Sequence, residues 1–186
     1  MSARTKGFIL QSRLAFVRER FGDAGVDQVL ALLPESDRAT LHGLILISGW
    51  YPLELALRLD DAISHAFGEE SEQALRELGR RSADDNLTKF QGAFIHGKSP
   101  DAFLALAPAV YRMYYETGSR EYHPRTPNSG ELVTTGAEGV TAGDCLTVMG
   151  WYERALELTG AKGPRLTHPE CVARGGKVCR YGVTWS

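Results

Sequence analysis

The chain has 186 residues, 43% of them hydrophobic and 24% charged, enough for one globular domain, residues 1–186, with a sizeable core. A formal net charge of -2 with dispersed Arg and Lys gives no electrostatic basis for nucleic acid or an anionic membrane surface, and no apolar run is long enough to span a bilayer. Three cysteines, an odd number without a signal-peptide layout at the N-terminus, point to a reducing cytoplasm and to thiolate ligands over disulfides.

Helices come first. Leu10, Leu14, Val17 and Phe21 lie at helical spacing between Lys6 and Phe21, and Gly22 ends that run. Asp23 can cap a second helix carrying Val26, Leu30 and Leu33 until Pro34 stops it. Leu41 to Trp50 is nearly all apolar and reads as a buried short helix or strand, which periodicity does not decide. Tyr51-Pro52 opens a helix through Phe67, with Leu55, Leu59 and Ile63 inward and Gly68 closing it. Ser71 starts the next, with Ala74, Leu75 and Leu78 inward and a break expected at Gly79. Helical pattern resumes from Asp84 to His96, and Pro100 to Gly118 reads as one further helix with Phe103, Leu104, Val110, Tyr111 and Tyr114 on its apolar face.

From Ser119 the period changes. Arg120 to His123, Glu131 to Ala137, Gly163 to His168 and Lys177 to Trp185 read as strands, punctuated by Pro124, Pro127-Asn128-Ser129-Gly130 and Gly175-Gly176. One helix interrupts them, capped at Thr141-Ala142-Gly143-Asp144, which puts Cys145 in its first turn. The fold class is therefore α+β: N-terminal helices, then a small antiparallel sheet with one inserted helix and a C-terminal hairpin.

That hairpin carries the chemistry. Cys145, His168, Cys171 and Cys179 include every cysteine of the chain, and borderline-soft ligands from separate elements can close a tetrahedral Cys3His zinc site. Three buried cysteines and a surface histidine explain the same spacing. The run from Cys171 through Gly175-Gly176 to Cys179-Arg180-Tyr181-Gly182-Val183 resembles the closing hairpin of the 4-vinyl reductase-type sensor domain, found also in phenol-responsive bacterial regulators. The resemblance implies a structural zinc held by these four residues, with His168 where that family has Glu. Four protein ligands would leave no position for water, so a catalytic metal is not expected.

The same resemblance implies an effector site. A histidine at the place of His96 contacts the phenol hydroxyl in those regulators, while the matching region for their pocket Trp is here Tyr122-His123-Pro124. A different small aromatic or apolar molecule is thus expected, with His96 as polar anchor and Trp50, Tyr51, Phe90, Phe94, Tyr111, Tyr115 and Trp151 as walls. Each of these residues also reads as ordinary core. The opening helices resemble haem-nitric oxide-binding domains, but Tyr115-Glu116-Thr117-Gly118-Ser119-Arg120 has the types of their Tyr-x-Ser-x-Arg signature at the wrong spacing. Tyr51-Pro52-Leu53 and the Ala74–Gly79 segment resemble, more loosely, a family of uncharacterised myxobacterial proteins.

No Gly-x-Ser-x-Gly, phosphate-binding Gly loop or His-Glu-x-x-His is present, and no enzymatic activity is expected. The expected function is a zinc-stabilised sensor or adaptor for an apolar or aromatic effector, acting through a homodimer or a protein partner. A ligand-free scaffold of the same fold is the alternative, and a haem-based gas sensor stands behind it.

Overall fold

The computed structural model describes residues 3–67, 71–89, 91–137 and 139–186. The expected helix stop at Gly68 and the expected pocket wall Phe90 lie outside the described residues. Seven α-helices and two antiparallel sheets are present among them, so the α+β class holds.

Strand β1 (Arg4–Lys6) leads into α1 (Gly7–Ala31), which kinks at the left-handed Gly22, as the sequence suggests. Helix α2 (Glu35–His42) follows Pro34, with Glu35 and Asp37 in its first turn where the helix dipole favours acids. Sequence reasoning did not anticipate α2. The apolar stretch after it is also not buried as expected. Leu41 and Ile45 point inward, but Leu44 is 86% exposed, Leu46 58% and Ile47 46%, on a loop that continues to Gly49.

Tyr51-Pro52 does not open a helix. Trp50–Pro52 forms β2, paired antiparallel with β1 in the register Thr5↔Tyr51, and α3 starts one residue later (Leu53–Phe67). Pro52 sits at the end of a two-stranded ribbon, where a missing N–H costs little. Helix α4 (Ser71–Ala83) runs through Gly79 without a break and continues into a π-helical turn, Asp84–Thr88. Beyond that, the expected helix to His96 is only a 3-10 turn at Gly92–Phe94. The segment 100–118 is likewise not one helix. α5 (Pro100–Leu104), capped by the Ser99 hydroxyl, and α6 (Ala107–Tyr114) are separated where Pro108 removes a donor and would crowd the carbonyl of Leu104.

The second half agrees closely with expectation. β3 (Ser119–Thr126), β4 (Ser129–Thr135), β5 (Arg165–Glu170) and β6 (Cys179–Thr184) form a sheet in the order β3-β4-β6-β5. Pro124 lies inside β3 rather than ending it, beside a register shift on an edge strand that tolerates both. Helix α7 (Ala142–Leu158) covers one sheet face, its first turn capped by the Thr141 hydroxyl accepting from the Asp144 N–H. Leu132, Tyr181, Val183 and Leu166 meet Val148, Tyr152 and Leu156 there.

Two apolar clusters result. One lies among α1, α3 and α4, with Leu10, Val17, Leu59, Ile63 and Leu75 fully enclosed. The other lies between α7 and the sheet. Helices α4 and α7 join them at backbone distance: a Cβ on Gly79 would overlap the Thr147 carbonyl, and one on Gly150 the Arg76 carbonyl. Gly79 is therefore a packing residue.

Candidate functional site

Each element of the C-terminal hairpin delivers one side chain to a common point. Cys145 arrives from the first turn of α7 and Cys179 from the start of β6. On β5 the pairing shifts between Thr167 and Glu170, across Pro169, which has no N–H for the ladder. That irregularity frees His168, whose ring stacks on Tyr181 at 4.3 Å and 5°. Cys171 precedes a 3-10 turn, Val172–Arg174, and its carbonyl accepts from the N–H of Arg174 and of Gly176. The turn closes through left-handed Gly175, and a Cβ at Gly176 would press on the Cys171 carbonyl at 2.9 Å.

The ligand atoms of Cys145, His168, Cys171 and Cys179 lie within 4.8 Å of one another, and all three cysteines are buried and free. Cys145 Sγ is 3.7 Å from Cys171 Sγ and 3.9 Å from Cys179 Sγ, too far for disulfides. Metal–sulfur bonds of about 2.3 Å in a tetrahedron place sulfurs about 3.8 Å apart, so this spacing fits a metal ion. His168 Nε2 is buried with no hydrogen-bond partner, as a nitrogen reserved for a metal would be. A hydrogen bond from the Cys145 thiol holds Cys179 well below the usual thiol range, and the same bond with burial pushes Cys145 up. Around the cluster, Arg174 donates to the His168 carbonyl at 2.6 Å, and Glu170 turns away to Lys177 and Arg180.

A second feature lies at the seam of the two clusters. A cavity of about 50 Å³, mostly apolar, sits among α1, α4, α6, β3 and α7. Tyr111, Tyr115 and Trp151, expected as pocket walls, line it. Trp50, Tyr51, Phe94 and His96 do not, the Tyr51 hydroxyl instead accepting from the Leu46 N–H. Trp50 packs under the Lys6 ammonium, 3.7 Å from the ring centroid, and Phe94 fills space against both apolar clusters. His96 is exposed beside Gly92, because the helix that would have carried it inward is absent. It is not an anchor for this cavity.

The residues that sequence reasoning missed are charged and buried. Arg13 on α1 is 4% exposed and Asp60 on α3 is fully enclosed; they pair through two bonds of 2.7 Å. Arg13 also reaches Thr147 at 3.5 Å and Asp144 at 3.9 Å on α7, so one guanidinium links three helices. Burial, with Asp60 nearby, pushes the Asp144 carboxyl up to about 6. Arg120 on β3 and Tyr152 on α7 complete the cavity wall. Tyr152 was legible in principle, since it continues the inward period of Cys145, Val148 and Met149.

Haem does not fit this cavity. A void of about 150 Å³ admits a ligand the size of benzene, far smaller than a porphyrin, and this one is smaller still. No His, Cys or Met lines it, and burial pushes the phenols of Tyr111, Tyr114 and Tyr115 up, away from the phenolate form.

Solved structures similar to this chain are H-NOX proteins. The unliganded Fe(II) H-NOX protein from K. algicida superposes with a TM-score of 0.74 at 16% identity, covering 97% of this chain and 96% of that one. The Fe(II)NO form from S. oneidensis gives 0.75 at 12%, covering 97% and 99%. An oxygen-binding H-NOX domain related to soluble guanylate cyclases gives 0.69 at 15%, covering 97% and 95%. At these identities the likeness is one of fold. No curated protein matches. Residues 17–186 match the model of a family described as a protein of unknown function (DUF2378).

Proposed function

The chain belongs to the DUF2378 family of proteins of unknown function, and from that membership and its H-NOX-like fold we propose that it is a zinc-stabilised small-molecule sensor without enzymatic activity. The observation that carries this reading is the apolar cavity at the seam, bordered by Trp151 and Tyr152 of the same helix whose first turn bears Cys145. Apolar walls supply affinity and a few polar groups fix orientation. An occupant would bear on α7, and α7 carries any displacement to the sheet and the Cys/His cluster.

Zinc would be held by Cys145, His168, Cys171 and Cys179. When bound, it supplies a closed crosslink among α7, β5 and β6 with no open coordination position. The supporting residues do the rest: Tyr181 stacks on the His168 ring, and Arg174 fixes its backbone.

The output is a surface. Leu44, Leu46 and Ile47 form an exposed apolar edge of the kind that marks interaction sites, and a second copy of the chain is its simplest occupant. No helix among the described residues is long and apolar enough to cross a membrane.

Native mass spectrometry of the purified chain tests the reading. One zinc per chain, and a thermal transition raised by a small apolar or amphiphilic compound, are the expected results. A haem mass, or a chain that folds identically with no metal and responds to no compound, would overturn it. Sedimentation of Leu44→Ser with Leu46→Ser against the parent chain separately tests the dimer.

A further inference from the structure

Arg120 has an unusual environment for a buried cation. It is 6% exposed, on the inward face of β3, and its Nε donates to Thr134 Oγ1 at 2.8 Å. Its guanidinium carbon lies 5.1, 5.3 and 5.6 Å from the ring centroids of Tyr111, Tyr152 and Tyr181. Among the described residues no carboxylate lies within ion-pair distance of it, and the other buried cation, Arg13, shows the contrast, with Asp60 gripped through two bonds. Asp144 turns to Arg13, at 3.9 Å. Aromatic faces offset part of the cost of burying a charge, and the Tyr152 phenol lies beside the guanidinium without completing a well-aligned hydrogen bond.

The Tyr152 hydroxyl beside it is a second observation. Tyr152 is fully enclosed and its oxygen has no hydrogen-bond partner. Buried hydroxyls are ordinarily bonded, and leaving one unpaired costs about 1–3 kcal/mol. Both groups border the same cavity, whose remaining wall includes Ile9, Val110, Val148 and Trp151.

We propose that this cavity binds a short-chain organic carboxylate, its two oxygens taken by Arg120 and Tyr152 and its hydrocarbon end by the apolar wall. The inference rests on the sensor reading and names the chemical class of its effector. A planar carboxylate matches the guanidinium fork, which has no direct carboxylate partner among the described residues. Arg13, Ser82, Asn86 and Thr147 also line the cavity, but its wall is mostly apolar, which suits a ligand with a hydrocarbon end better than a phosphate or a halide. At about 50 Å³ the space holds a few water-sized groups, which suits a chain of two or three carbons, and it is smaller than the void of about 150 Å³ that admits a benzene ring.

Calorimetric titration of the full chain with acetate and propionate, each against its neutral amide, tests this. The carboxylates are expected to bind at least about tenfold more tightly than the amides, and Tyr152→Phe to weaken them by about tenfold. Arg120→Lys should retain part of the preference, and Arg120→Met should abolish it. Equal binding of amides and acids, or inorganic phosphate or chloride competing as well as propionate, would overturn the carboxylate assignment while leaving the sensor reading in place. Binding of neither class, with Tyr152→Phe as stable as or more stable than the parent, would remove both.

Discussion

The helical half and the sheet half of this molecule are held together by different means. Among α1, α3 and α4 the residues Leu10, Val17, Leu59, Ile63 and Leu75 are enclosed by long helices that bury whole faces. The four-stranded sheet packs against α7, with Phe103, Leu104 and Ala107 in the same cluster, and its hairpin after β5 is built from a 3-10 turn and paired glycines. Apolar burial suffices for the first half. The second adds to its own apolar cluster a candidate metal site at Cys145, His168, Cys171 and Cys179, which an ion would tie together.

That contrast can be broken most severely at the metal. Cys171→Ser, or chelation of the parent chain, is expected to cost several kcal/mol, because metal binding and folding are coupled. Hydrogen exchange should show β5 and β6 losing protection while α1 and α3 keep theirs. Uniform loss, or an unchanged melting temperature, would deny the division.

The buried ion pair of the helical half comes next. Asp60→Ala leaves Arg13 charged and enclosed and should cost about 3–5 kcal/mol by denaturant titration. Replacing both, Arg13→Met with Asp60→Leu, should recover most of that loss. If the double variant is as unstable as the single, the pair contributes more than charge compensation.

The joint between the halves is smaller in effect. Gly150→Ala pushes a methyl into the Arg76 carbonyl, forces α4 and α7 apart, and should cost about 1–3 kcal/mol. It should also alter ligand response, which a variant buried within one half would not.

Smallest is the surface network across the same seam. Burial alone would raise the Glu157 carboxyl, but hydrogen bonds from Arg80 and Arg154 outweigh it and hold the group below its usual range. A group lowered in the folded state contributes stability above its unfolded value, and that contribution is lost as pH falls through the folded one. Unfolding midpoints followed from about pH 5 to pH 3 should therefore fall more steeply for the parent than for Glu157→Gln.

The sequence by itself determined a good deal. The change from helical to alternating period after Ser119, the Thr141 cap and the Gly175-Gly176 turn are local signals, and they located the sheet, α7 and the hairpin. The four candidate metal ligands were legible because metal ligation limits the residue types, and the chain spends all its cysteines there. What failed depended on partners distant in the chain. Gly79 reads as a helix break until Gly150 packs across from it, and Trp50–Pro52 becomes a strand only because Arg4–Lys6 pairs with it. His96 looked like a pocket residue on a helix that Gly92 and Gly97 do not sustain. Arg13, Arg120 and Tyr152 carry no local mark at all: a cation or phenol in sequence looks solvated until the tertiary fold encloses it. Local backbone preference and residue chemistry are written in the chain, whereas burial, and the charge it leaves without a counterion, exists only after distant segments have met.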